Sequence, residues 1–110
     1  MRPLVIIGLQ GATEQYLSWM VGAYGPVSVI IEATQNMIDY KGGVFYDVTC
    51  TGKANHWALI VGWGTDPDAG DYWILKNSWG PDWGEDGYIR LARNKYNHCG
   101  ILNYPIIVHY

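Results

Sequence analysis

The sequence has little positive charge: seven lysines and arginines stand against ten aspartates and glutamates, for a net charge of −3 at pH 7. A nucleic-acid-binding surface is typically a basic stripe, so no nucleic acid is expected as a partner. The sequence also lacks a run of about 18 apolar residues, so no membrane span is expected. The apolar stretch Leu4–Ile7 is too short for the core of a secretory signal peptide. Internal repeats and low-complexity segments are absent as well.

The residues that are abundant are those that build a core. Of the 110 residues, 49% are hydrophobic and 15% are aromatic. A chain of this length and composition can bury a core of its own and fits one domain. We therefore expect a single domain over residues 1–110.

Local signals divide the chain into one helix and several short strands. Thr13 can cap a helix from Glu14 to about Tyr24, which Gly25 ends and Pro26 prevents from resuming. Strands are predicted over 27–32, 44–46, 56–63, 71–77, 88–93 and 101–108. Pro105 interrupts the last of these, which is therefore expected at a sheet edge. Residues 1–12 could add another edge strand. This order predicts an α+β, mainly β fold, an antiparallel and partly closed β-barrel with one N-terminal helix.

The most informative stretch runs from residue 55 to residue 89. His56 begins one strand-like run and Asn77 ends the next. If the two runs pair as an antiparallel hairpin, the start of one lies beside the end of the other. An amide can then fix the tautomer and orientation of an imidazole. On spacing alone, an ordinary surface histidine and a turn asparagine are the simpler interpretation, and a nucleophile would have to come from elsewhere.

Motifs around these two residues resemble the papain-like cysteine peptidases, which include the cathepsins. The resemblance rests on His56 followed by Val-Gly-Trp-Gly, then Asn77-Ser78-Trp79-Gly80, Trp83-Gly84, Gly87-Tyr88 and Cys99-Gly100, and it covers roughly residues 13 to 105. It implies the C-terminal, right-hand barrel domain of a two-domain fold. The left-hand domain, which carries the catalytic cysteine in that family, is expected to be absent from this chain.

The resemblance implies a role for each residue of this motif set. His56 would be the general acid and base, and Asn77 would orient it. Trp79 would lie over the bond between them, and Trp83 would line the leaving-group side of the cleft. Each tryptophan could equally be a packing residue of the core.

The resemblance also suggests a substrate pocket, formed near Ile30, Ala54, Asn55 and Leu102. One residue departs from the family pattern: Trp57 follows the histidine, where a small residue is usual. A bulky indole there could crowd the site or change the local core. Outside the motifs, His98 is expected to be solvated.

The chain has two cysteines, Cys50 and Cys99. They could be free buried thiols, or they could join His56 and His98 in a zinc site, although their spacing is unusual for zinc. The family resemblance implies instead that they form a disulfide, which would indicate an oxidising compartment, secreted or lysosomal/endosomal. Neither cysteine opens a helix, as the family's nucleophile does, so neither is expected to be the catalytic thiol.

Two functions from different classes remain. The first is the C-terminal domain of a cysteine endopeptidase that hydrolyses peptide bonds by a Cys-His-Asn mechanism, with no cofactor or metal, inactive until joined to its N-terminal half. Its implied partners are a peptide or protein substrate, that missing half, and a propeptide or cystatin-like inhibitor. The alternative is a non-catalytic, truncated or pseudo-peptidase that serves as a binding, allergen-like module.

Overall fold

The computed structural model describes residues 4–7 and 13–109, with side chains described over residues 13–106. It contains one main helix and seven strands. Their bounds are β1 Leu4–Ile7, α1 Glu14–Tyr24, β2 Val27–Ile31, α2 Gln35–Ile38, β3 Val44–Phe45, β4 His56–Asp66, β5 Gly70–Lys76, β6 Tyr88–Ala92, a 3₁₀ turn His98–Gly100 and β7 Ile106–His109. None of the described helices is long and apolar enough to cross a bilayer.

The strands form one sheet in the order β1-β7-β2-β4-β5-β6-β3. All neighbours are antiparallel except β3, which pairs in parallel with β6. Among the described strands, the first and last of this order do not pair, so the sheet is not closed into a full barrel. The prediction of a mainly β fold with one N-terminal helix is confirmed.

The bounds of α1 follow from its two ends. The Thr13 side-chain oxygen accepts a hydrogen bond from the Tyr16 N–H at 3.0 Å, which satisfies one of the N–H groups that have no partner within a helix. At the other end Gly25 adopts φ +87° and donates its N–H to the Val21 carbonyl. Both ends of the helix lie where the sequence predicts them.

The core lies between α1 and the inward-facing positions of the central strands. Alternation in β2 buries Val27, Val29 and Ile31, as expected for a strand with one face on the core. The largest completely buried side chain is Trp73 of β5, and its indole N–H donates to the Glu14 carboxylate at 3.3 Å. The remaining large buried side chains are Leu17, Met20, Met37, Ile60, Leu75, Ile89, Leu91 and Ile101.

The C-terminal segment differs from the prediction. The strand spans only Ile106–His109, and residues 98–103 form a 3₁₀ turn followed by a further turn. Pro105 is buried immediately before the strand, where its missing N–H costs no ladder bond. β7 is also not an edge strand, because β1 pairs along its whole length and β2 contacts its other side at Ser28 and Ile106.

Candidate active site

The sheet brings His56 and Asn77 together. β4 begins at His56, and its hairpin partner β5 ends at Lys76, one residue before Asn77. In that hairpin Leu59 faces Lys76, so the beginning of β4 and the end of β5 lie at the same edge of the sheet. The His56 Nε2 atom lies 2.6 Å from the Asn77 Oδ1 atom, across 21 positions of sequence.

A second contact of Asn77 identifies which nitrogen of the imidazole carries the hydrogen. The Ser78 N–H donates to Asn77 Oδ1 at 2.8 Å, which identifies that atom as the amide oxygen. An oxygen can only accept, so His56 Nε2 must carry the hydrogen in this pair. In the neutral ring the lone pair is then on Nδ1. That nitrogen is the one able to take up and return a proton.

The loop after β5 holds the amide in place. The Asn77 N–H donates to the Gly87 carbonyl at 3.1 Å, and the Gly87 N–H donates to the Trp83 carbonyl at 2.8 Å. Gly87 has φ +93°, and a side chain there would lie 3.2 Å from the Gly80 carbonyl oxygen. This tight turn needs glycine, and it leaves Asn77 only 8% exposed.

Two tryptophans close one side of the pair. The Trp79 ring lies 4.7 Å from the His56 ring, centroid to centroid, at 37°. Trp83 packs edge-on against Trp79 at 5.0 Å. That this apolar cover keeps water from the His56–Asn77 hydrogen bond, and so strengthens the bond by lowering the local dielectric, stays a prediction.

Trp83 is itself anchored by α2. Its indole N–H lies 3.1 Å from the Met37 carbonyl and 3.0 Å from the Ile38 carbonyl. The sequence indicates that 33–43 is a loop or short helical turn, but it contains no sign that this segment fixes a tryptophan of the site. Only the folded chain reveals that contact.

The four residues predicted to form a substrate pocket lie on three segments. Ile30 is in β2, where it faces Trp57 of β4 across the sheet. Ala54 and Asn55 are exposed residues immediately before His56. Leu102 is half-buried in the turn after the disulfide and packs on the core. Their role in substrate binding stays a prediction.

A different set of side chains lines an open cleft of about 460 Å³ beside the amide. The lining residues are Ser28, Trp57, Ala58, Leu59, Lys76, Asn77 and Ser78. The Trp57 indole is 56% exposed there. The bulky residue after the histidine therefore occupies the cleft, and it does not enter the core.

Cys50 and Cys99 form a disulfide, with a Cα–Cα distance of 5.0 Å. Their sulfurs and a ring nitrogen of His98 lie within 4.8 Å of one another. Because the two sulfurs are bonded to each other, they are not thiolates that could bind zinc, and His56 does not belong to this cluster. The free-thiol and zinc alternatives therefore do not describe the structure.

The prediction that His98 is solvated is wrong. The ring is 7% exposed, and its Nε2 accepts the Asp47 N–H at 2.9 Å. Burial lowers the pKa of His98, and the negative charge of Asp47 opposes that shift in part. The neighbouring polar residues of the sequence do not reveal this burial, because the ring stacks on Tyr46 and binds Asp47, which lie about 50 positions away in the chain.

Two acidic residues that the sequence does not single out hold the loops on either side of Cys50. The Asp47 carboxylate accepts hydrogen bonds from Thr34, Asn36 and Thr49. Burial alone would raise the pKa of Asp47, but these bonds outweigh it and bring the value to about 2. The other is Glu32, whose carboxylate is bound by the loop between Cys50 and His56.

Comparison with known proteins identifies the family of this chain. Residues 6–109 match the papain family of cysteine proteases, and the chain belongs to that family. It is 50% identical over 99 residues to a cathepsin L-like protein of Caenorhabditis elegans, covering 86% of this chain and 29% of that protein. It is 51% identical over 100 residues to cathepsin S of Bos taurus, covering 90% of this chain and 30% of that protein.

Solved structures give the same result for the fold. The digestive procathepsin L2 proteinase from the Tenebrio molitor larval midgut superposes with a TM-score of 0.90 at 44% identity, covering 96% of this chain and 33% of that chain. The chain thus spans about three tenths of the length of the curated relatives it matches. It corresponds to one part of a papain-like cysteine protease.

Proposed function

We propose that this chain supplies the general acid/base and its orienting amide to a papain-like cysteine peptidase. The observation that carries the proposal is the 2.6 Å contact between His56 Nε2 and Asn77 Oδ1 under the Trp79 ring. His56 is the catalytic residue of this chain and Asn77 is its positioning partner. The disulfide leaves neither cysteine as a thiol, so the nucleophile comes from a segment outside these 110 residues.

In this mechanism His56 Nδ1 accepts the proton of the incoming thiol, and the thiolate attacks the carbonyl carbon of a peptide bond. The imidazolium then returns the proton to the leaving amine as the C–N bond breaks, which leaves a thioester. Nδ1 next takes a proton from water, whose oxygen attacks the thioester. Collapse releases the carboxylic acid and returns the thiol.

The amide of Asn77 has a limited role in these steps. It carries no charge, so it orients the ring and stabilises the imidazolium only through its dipole. The Ser78 N–H, which shares the same oxygen, keeps the amide from rotating. The apolar cover by Trp79 protects the hydrogen bond while the ring changes its charge.

The rest of the functional assignment follows from this role. Substrates are peptides or proteins, and a propeptide or a cystatin-like inhibitor would occupy the same cleft. The disulfide supports an oxidising location, secreted or lysosomal/endosomal. The reaction as proposed needs no cofactor.

The test is thiol-dependent cleavage of a dipeptidyl fluorogenic amide by the intact protein. His56→Ala should lower kcat by about 10²–10⁴-fold, because it removes the proton-transfer group. Asn77→Ala should lower kcat less, because the imidazole remains but is no longer oriented. Asn94→Ala is a matched control, since this asparagine binds Asp71 at the far end of the β4–β5 hairpin.

Two results would contradict the proposal. One is full activity in the His56 variant, and the other is cleavage by the 110-residue chain without any added thiol-bearing segment. The exposed Trp57 in the cleft favours a second candidate, a non-catalytic relative that binds peptides. That candidate predicts that added peptide quenches or shifts the fluorescence of Trp57 in the intact protein. It also predicts that the protein does not cleave the peptide.

A further inference from the structure

The Glu32 carboxylate is bound by three successive residues of the loop after Cys50. Its Oε1 atom accepts the N–H groups of Thr51, Gly52 and Lys53, at 2.7, 2.8 and 3.1 Å, and the Thr51 hydroxyl at 3.1 Å. Gly52 has φ +85°. Successive N–H groups that converge on one point form a concave site for an anion, and here a side chain of the same protein fills it.

The backbone of the same residue also binds Cys99, the other half of the disulfide. The Glu32 N–H donates to the Cys99 carbonyl at 2.9 Å. The loop rests on that segment, because a side chain at Gly100 would lie 3.3 Å from the Gly52 carbonyl oxygen. Glu32, which follows the end of β2, thus binds both the loop after Cys50 and the turn around Cys99.

The loop leads directly to His56, but the two are held by different contacts. His56 itself is fixed by pairing with Ile31 in β2 and by Asn77. Asn55 is held by Ala33, whose N–H donates to Asn55 Oδ1 at 2.7 Å. Residues 51–53 instead bind Glu32, and residues 53–55, which lead to His56 in the chain, are exposed.

We propose that Glu32 is a positioning residue that fixes residues 51–53 of the loop that leads to His56, and thereby sets the affinity for the peptide substrate without setting the rate of proton transfer. This inference rests on the proposed function. The separation of the two effects follows from the contacts, since loss of Glu32 frees residues 51–53 while strand pairing and Asn77 still hold the imidazole. A peptide bound at His56 would contact Ala54 and Asn55, the exposed residues that join this segment to His56.

A carboxylate suits this position better than an amide. Its oxygens accept hydrogen bonds only, and bonds to an ionised acceptor are shorter and roughly twice as strong as neutral ones. Burial alone would raise the pKa of Glu32, but the N–H groups of Thr51, Lys53 and Gly52 outweigh it, and the pKa lies below its ordinary value. Glutamine keeps one acceptor oxygen without the charge, and alanine keeps neither.

The anchor is tested by hydrogen–deuterium exchange of the intact protein, read on peptides that cover residues 51–53. Glu32→Ala should speed exchange there by about tenfold or more, with Glu32→Gln intermediate, because the three amides lose their acceptor. Asp71→Ala is the matched control: Asp71 also binds several donors, from Thr65 and Asn94, but it lies at the other end of the hairpin. Unchanged exchange at 51–53 in Glu32→Ala overturns the proposal whatever the activity.

The effect on substrate is tested by steady-state cleavage of the dipeptidyl amide. Glu32→Ala should raise KM by about threefold or more with kcat within about twofold of the parent, since only binding is weakened. The increase in KM should be smaller in Glu32→Gln than in Glu32→Ala, and Asp71→Ala should leave KM unchanged. An equal KM in Glu32→Ala and in the parent, or a KM increase as large in Asp71→Ala, overturns the proposal.

The two proposals fail in different ways. If the parent protein shows no thiol-dependent cleavage at all, the proposed peptidase function is wrong, and so is the substrate role given to Glu32. If the parent is active and the Glu32 variants have the same KM and the same amide exchange as the parent, the peptidase function stands and the inference about Glu32 is wrong.

Discussion

Replacing Asp47 by asparagine is the sharpest test of how the loops around the site are held. The side chain is 5% exposed. One oxygen accepts from Thr49, both N–H and hydroxyl, at 2.9 and 2.7 Å, and the other accepts from Thr34 and Asn36 at 2.7 and 3.2 Å. Four donors point at this carboxylate, so an amide must direct its own NH₂ group at one pair of them.

The size of the effect follows from the pKa. Folding lowers the pKa of Asp47 from its ordinary value of 3.8 to about 2, which corresponds to about 2 kcal/mol of stability. A lowered carboxylate pKa stabilises the folded state fully above the unfolded value, and the contribution disappears as the pH falls through the folded value. Asp47→Asn should therefore cost about 2 kcal/mol at pH 7 and about half as much near pH 3.

The assay is urea denaturation of the parent and of Asp47→Asn at pH 7, 5, 4 and 3. Asp68→Asn is the matched control, because Asp68 is an exposed carboxylate in the β4–β5 turn, and its change should stay within about 0.5 kcal/mol. The reasoning is refuted if the difference between Asp47→Asn and the parent is the same at pH 7 and pH 3, or if the variant is as stable as the parent at neutral pH.

Two further predictions concern the residues next to Asp47. Replacing Cys50 and Cys99 by serine should lower the free energy of unfolding by about 4 kcal/mol, since the bond joins positions 49 residues apart. Urea denaturation of the oxidised parent and of the variant measures this loss. A loss under about 1 kcal/mol would contradict the chain-entropy argument. His98→Gln should remove part of the sensitivity to acid. Burial lowers the pKa of His98 below 6.5, so the unfolded chain binds a proton at a higher pH than the folded one, and the parent loses stability as the pH falls through 6.5. Glutamine can still accept the Asp47 N–H but does not titrate there, so denaturation midpoints should converge or cross between pH 7 and pH 5, and parallel curves would refute the assignment.

The prediction of the helix succeeded because its signals are local. Thr13 and Gly25 act on the groups within a turn of themselves, so their effect does not depend on the rest of the fold. The prediction of the hairpin succeeded for a similar reason, since two apolar runs with a short polar turn can pair in few ways. The meeting of His56 and Asn77 followed from that pairing.

The last strand shows where such reasoning fails. The sequence predicts that Pro105 interrupts a strand and that this strand lies at a sheet edge. In the structure the proline precedes a shorter strand, which β1 covers on its outer side. Which strand pairs with β7 depends on a segment about a hundred residues away, and no local pattern carries that information.

The sequence by itself determined the family, the main helix, the β4–β5 hairpin and the His56–Asn77 pair, because each depends on contacts within a helix or a hairpin or on a short motif. The tertiary structure alone decided that His98 is buried, that α2 holds Trp83, and that Glu32 binds the loop before His56. These contacts join segments 19 to 51 positions apart in the chain. The physical reason is that a hydrogen-bond donor or acceptor does not specify its partner. Only the packing of the strands brings one acidic side chain, and no other, to the N–H groups that it binds.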